Sequence, residues 1–111
     1  MTRSWLLSLA LAAGCGSDPK LDCNSSELTY DAFGSPFMLN WCNGCHSETL
    51  PLGQRGDAPI NVNFDTLDEV HLWSMQILTT AGPAKPTMPP AGGPSPDERK
   101  TLEAWINCGA N

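Results

Sequence analysis

Positive charge is scarce in this chain. Its 111 residues carry six Lys and Arg against twelve Asp and Glu, a formal net charge of −6. A surface so poor in cations argues against nucleic acid and anionic lipid as partners and would steer the protein toward basic ones. Long apolar runs are missing as well: the longest, residues 5–13, is too short to cross a bilayer as a helix. Stretches with the period-two alternation of strands are few, and no internal repeat is present. No carboxylates are set apart as an acid/base couple; Glu48, Asp68, Glu69 and Glu103 read as solvated faces. A chain of this length forms one domain at most and buries little apolar surface, so a disulfide, metal or cofactor is expected to help hold it together.

What is abundant is punctuation, with ten prolines and ten glycines. Ser35 followed by Pro36 reads as an N-cap and first helical position, predicting a short helix over 36–41. Residues 47–64 read as loop, broken by Pro51, Gly53, Gly56 and Pro59. Asp65 or Thr66 then caps a second helix, with Asp68 and Glu69 at its positive end. Leu67, Val70, Ser74, Ile77 and Leu78 share its apolar face, Trp73 borders it, and Thr80-Ala81-Gly82-Pro83 stops it. Residues 83–96 hold six prolines and two glycines in fourteen positions, a stiff extended segment. Ser95-Pro96-Asp97-Glu98 opens the last helix with an N-cap, an N1 proline and a capping-box glutamate; Leu102, Trp105 and Ile106 form its stripe and Cys108-Gly109 ends it. The expected fold class is all-α, a few short helices joined by long loops and organised by a cofactor.

Which cofactor follows from Cys42-Asn43-Gly44-Cys45-His46, a C-x-x-C-H run. Two thiols three positions apart can reach two vinyl groups on one porphyrin edge and form thioethers, and the adjacent imidazole then becomes an axial iron ligand. Asn43 and Gly44 are small enough to let the turn close. With this run the chain resembles a small class I monohaem cytochrome c, a resemblance covering nearly all of the mature chain but specific only at the haem run, the Met-Pro-Pro loop and the last helix. It implies a cytochrome c-like fold of three or so short helices wrapped around one covalent haem c, and a one-electron carrier that is not an enzyme. The short first helix departs from the family. Met88, in Thr87-Met88-Pro89-Pro90, about forty residues after His46 and followed by a Leu-x-x-Trp helix, looks like the family's distal ligand. Met38 reads instead as core, Met75 as a gap-filling methionine, and His71 as the other candidate sixth ligand. His46/Met88 ligation raises the potential and leaves no vacant iron position. In the family a proline carbonyl roughly a dozen residues after the motif orients the proximal imidazole; Pro59 matches, with Pro51 in reserve, and a simple turn proline is the alternative. Arg55, the one cation in the long loop, would pair with a haem propionate or with Asp57 or another local acid. Trp41, Trp73 and Trp105 are expected to pack around the haem.

Met1-Thr2-Arg3 and the apolar run after it read as an export signal. Leu11-Ala12-Ala13-Gly14-Cys15 resembles a bacterial lipobox, departing from it at Ala12, where leucine is commoner. The resemblance implies cleavage before Cys15 and a diacylglycerol on its sulfur; ordinary signal-peptidase cleavage after Ala13 or Gly14 is the alternative. The expected organisation is a lipoprotein signal peptide over 1–14, a tether over 15–29 and a cytochrome c-like domain over 30–111. The protein would sit on the periplasmic side of a bacterial membrane, the outer one favoured by Gly16. Without its signal the chain keeps five Lys and Arg against twelve Asp and Glu, a formal charge of −7, suited to redox partners with a basic docking patch and not to nucleic acid. With Cys15 given to lipid and Cys42 and Cys45 to haem, Cys23 and Cys108 remain of the five cysteines. In an oxidising compartment they are expected to pair, closing a loop that the chain-entropy treatment values at roughly 4 kcal/mol; two free thiols are the alternative.

Four rivals compete with the electron carrier. A thiol–disulfide module using Cys42 and Cys45 normally follows a strand in a βαβ unit, and no such strand pattern precedes them. A zinc module would need adjacent Cys45 and His46 on one tetrahedral ion, with no second knuckle to complete it. A haem-based sensor or peroxidase would keep an open distal iron site, and a structural lipoprotein would carry the motif by accident.

Overall fold

The computed structural model describes residues 22–111. The signal segment and the first seven residues of the tether, Cys15 among them, lie outside the described residues.

Helical structure begins earlier than the proline at 36 suggests. Thr29 is the first cap: its hydroxyl accepts from the Ala32 N–H at 3.1 Å. A π-turn, Tyr30–Gly34, then runs directly into helix α1, Ser35–Trp41. Ser35, expected as the N-cap, is itself helical (φ −62°, ψ −49°), with its N–H on the Tyr30 carbonyl. Pro36 explains the wide turn. In a regular helix its ring would meet the carbonyl four residues back, at Ala32, and it has no N–H to offer. The bonds five residues back, Gly34 to Thr29 at 3.1 Å and Ser35 to Tyr30, widen the helix just before it. The first helical run is therefore five plus seven residues long, not the short segment expected.

The other two helices start where their caps predict. Helix α2, Leu67–Ala81, carries a full capping box between Thr66 and Glu69. Helix α3, Pro96–Asn107, carries another between Ser95 and Glu98. Gly82, in extended conformation before Pro83, ends α2. Val70, Ile77 and Ala81 of α2 and Leu102, Trp105 and Ile106 of α3 are buried together with Phe37 and Met38 of α1. Met38 thus packs in the core as expected, whereas Met75 is exposed and fills no gap. A single 3-10 turn, Leu52–Gln54, interrupts the long loop. Among the described residues there are three α-helices and no strand, an all-α architecture.

Trp105, wholly buried, anchors the first helical run on α3. Phe33 meets it edge-on at 6.0 Å and Tyr30 stacks at 6.4 Å between centroids. A Cβ at Gly34 would collide with the same indole, so only glycine allows this approach. The C-terminal residue closes the assembly: the Asn111 carbonyl accepts from the Tyr30 N–H at 2.6 Å and from the Trp105 indole at 3.2 Å. Cys23 and Cys108 are joined beside it, Cα atoms 5.4 Å apart and 85 residues apart in sequence.

Candidate functional site

Helix α1 ends in the C-x-x-C-H run. The N–H groups of Cys42 and Asn43 both reach the Met38 carbonyl, and those of Cys45 and His46 both return to Cys42, curling the five residues into a compact turn. The turn borders a cavity of about 590 Å3, within the range of cofactor sites. Cys42, Cys45 and His46 line it on one side and Met88, Pro89 and Pro90 on another, with Phe37, Trp41, Val62, Phe64, Trp73 and Ile77 among the apolar walls. Both motif cysteines are unpaired.

Each candidate iron ligand is held by its backbone surroundings. His46 Nδ1 lies 2.8 Å from the Val62 carbonyl, which leaves Nε2 as the ring nitrogen available to a metal, and the ring packs at 4.7 Å on Phe64. The Met88 N–H donates to the Thr80 carbonyl at 2.9 Å at the end of α2, and its own carbonyl accepts from Arg99 Nη1 of α3 at 2.8 Å. The same Nη1 also holds the Ala81 carbonyl at 2.8 Å. The proline-stiffened segment is thereby tied to two helices at Met88, a residue that lines the cavity.

Other expected roles fall elsewhere. Val62, and not Pro59 or Pro51, offers the carbonyl to His46; Pro59 is occupied by Arg55 Nη2 at 2.7 Å. Among the described residues Arg55 meets neither Asp57 nor any other acid. Its guanidinium is turned inward onto the carbonyls of Ser47, Pro59 and Val62 at 2.5, 2.7 and 3.2 Å, with Nε 3.5 Å from that of Ala58. The loop over 47–64 wraps around this one cation because its many carbonyls need donors that the loop's own N–H groups do not supply. Ser47 and Glu48 close its neck on the Asp65 carboxylate at 2.6 and 2.9 Å, and Phe64 N–H returns to the His46 carbonyl at 2.9 Å. Gly56, at φ +56°, lets the loop pass Cys45: a Cβ there would stand 3.0 Å from its sulfur. Trp41 and Trp73 border the cavity, but Trp105 serves the helix crossing instead. His71 is not brought to the motif; its Nε2 lies 2.8 Å from the Ala110 carbonyl.

Electrostatics set the motif's chemistry. Burial pushes the Cys42 thiol up to about 12, opposed only in part by the charge of Arg99. A thiol this reluctant to ionise is a poor nucleophile toward disulfides, which counts against the thiol-exchange module. Among the described residues no three His, Cys, Asp or Glu side chains converge to hold a metal ion by themselves. Compared with family models, curated proteins and solved structures, the chain matches none.

The residues present fit a covalent porphyrin: two cysteines with unpaired thiols, a histidine with one committed ring nitrogen and a methionine tethered through its backbone line the same apolar space. The carbonyl of Val62 and the clamp of Arg99 on Met88 escaped sequence reading. Both act through backbone atoms that every residue possesses.

Proposed function

We propose that the protein is an exported c-type cytochrome, a one-electron carrier with one covalent haem, anchored to a bacterial membrane through lipid on Cys15. The observation that carries this reading is the meeting of Cys42, Cys45 and His46 with Met88, distant in sequence, around one apolar cavity. Bound there, the haem would supply an iron that alternates between ferrous and ferric. The protein's part is to hold and insulate it. Cys42 and Cys45 would each add their S–H across a vinyl double bond, losing no atom. His46, oriented by Val62, and Met88, fixed by Thr80 and Arg99, would hold the iron from the protein side and exclude oxygen and peroxide from it. The apolar walls of the cavity would limit water around a haem held there, which suits electron transfer between proteins. The acidic surface suits partners with a basic patch.

Mass spectrometry of the mature polypeptide, produced where haem-attachment machinery is active, tests the reading. A mass equal to chain, lipid and one haem supports it; chain and lipid alone overturn it. Carbon monoxide separates the carrier from an open-site sensor or peroxidase: an unchanged Soret band is expected, and a shift at neutral pH would favour the open site.

A further inference from the structure

Arg55 is the least economical residue in the loop if all that is required is a turn. It is only 4% exposed, and among the described residues every one of its hydrogen-bond partners is a backbone carbonyl, none a carboxylate. Burying a guanidinium without a counter-charge is costly, and neutral donors could satisfy carbonyls at less expense. One of its acceptors is distinctive. The Val62 oxygen receives Arg55 Nη2 at 3.2 Å and lies 2.8 Å from His46 Nδ1. The guanidinium and the imidazole therefore share one acceptor.

We propose that Arg55 is the positioning residue of the proximal ligand and that its charge tunes the iron; this rests on the haem reading above. The guanidinium holds the Val62 carbonyl together with those of Ser47 and Pro59, so the acceptor facing His46 cannot drift. By drawing on the Val62 lone pairs, Arg55 also weakens that oxygen's pull on the Nδ1 proton. The imidazole then has less imidazolate character and donates less to the iron, which disfavours the ferric state. The buried positive charge acts in the same direction, since it opposes the extra charge of ferric iron in a low-dielectric setting. Within an otherwise acidic protein, Arg55 is a local device for keeping the potential high.

The test uses the haem-loaded protein, with Arg55→Gln to remove the charge, Arg55→Lys to keep it without the fork, and Lys100→Gln to remove an exposed cation as a control. The readouts are midpoint potential and the rate at which the His46 Nδ1 proton, followed by NMR in the oxidised protein, exchanges with deuterium. Expected are a lower potential and faster exchange for Arg55→Gln, a potential nearer wild type but still faster exchange for Arg55→Lys, and no change for Lys100→Gln. Should Arg55→Gln fail to accumulate, Arg55→Lys decides: wild-type exchange in it overturns the proposal. Equal falls in potential for Arg55→Gln and Lys100→Gln overturn the tuning role, because surface charge would then suffice. A wild-type protein that carries no haem overturns both this inference and the reading it rests on. A haem-bearing wild type with indifferent Arg55 variants overturns this inference alone.

Discussion

The Trp105 indole occupies the space where a side chain at residue 34 would be. Gly34→Ala should destabilise the protein by about 1–3 kcal/mol, the usual cost of overpacking a close crossing, read from the urea midpoint. Cys42 gives a pH signature in the haem-free protein. Unfolded, its thiol ionises near its ordinary 9.0; folded, it stays neutral to about 12. A group raised on folding contributes stability that is intact below the unfolded value and lost as pH climbs through the folded one. Haem-free protein should therefore lose stability from about pH 9 upward, and Cys42→Ala should lose less over the same range, as followed by denaturant melts. Cys42, Cys45, His46 and Met88, which the structure brings around one cavity, stood out as candidates because their chemistry resides in the side chain and its spacing. Gly34 was not, because its partner is 71 positions away and only the folded chain introduces them.

At the scale of elements, caps were the most readable feature and the first helix the least. Thr66 with Glu69 and Ser95 with Glu98 declare two helix starts by residue type and spacing alone. The first run hides its start, since a π-turn breaks the 3.6 period and Pro36 imitates an N1 proline in mid-run. Ser95→Ala should cost about 1 kcal/mol in thermal or chemical melts. The Ser95 backbone N–H, with help from Ser95 and Trp41 side chains, holds the exposed Glu98 carboxyl below the usual carboxylate range. Its contribution is present above that range and declines as pH falls through the lowered value, so Glu98→Gln should flatten the acid limb of the stability curve. Arg99 couples α3 to α2 and to the Met88 segment through two carbonyls. In the haem-loaded protein, Arg99→Gln should weaken the oxidised absorption band of methionine–iron ligation, while thioether attachment, read by mass, persists.

For the whole molecule, the covalent link between Cys23 and Cys108 spans 85 positions and fastens the N-terminal arm to the end of α3. Replacing both by serine should remove about 4 kcal/mol by the chain-entropy treatment and lower Tm by something on the order of 20 °C, measured by calorimetry of the haem-loaded protein. That pairing was reached from the sequence only after other cysteines had been assigned, whereas the burial that distinguishes Cys42 is a property of the fold alone. Its reluctance to ionise also bears on that covalent bond. Disulfide exchange proceeds through thiolate, so a thiol that holds its proton enters such exchange slowly. Within the folded, haem-free protein Cys42 is therefore slow to attack the Cys23–Cys108 bridge, and this long-range covalent tie is sheltered from the chain's own buried thiol.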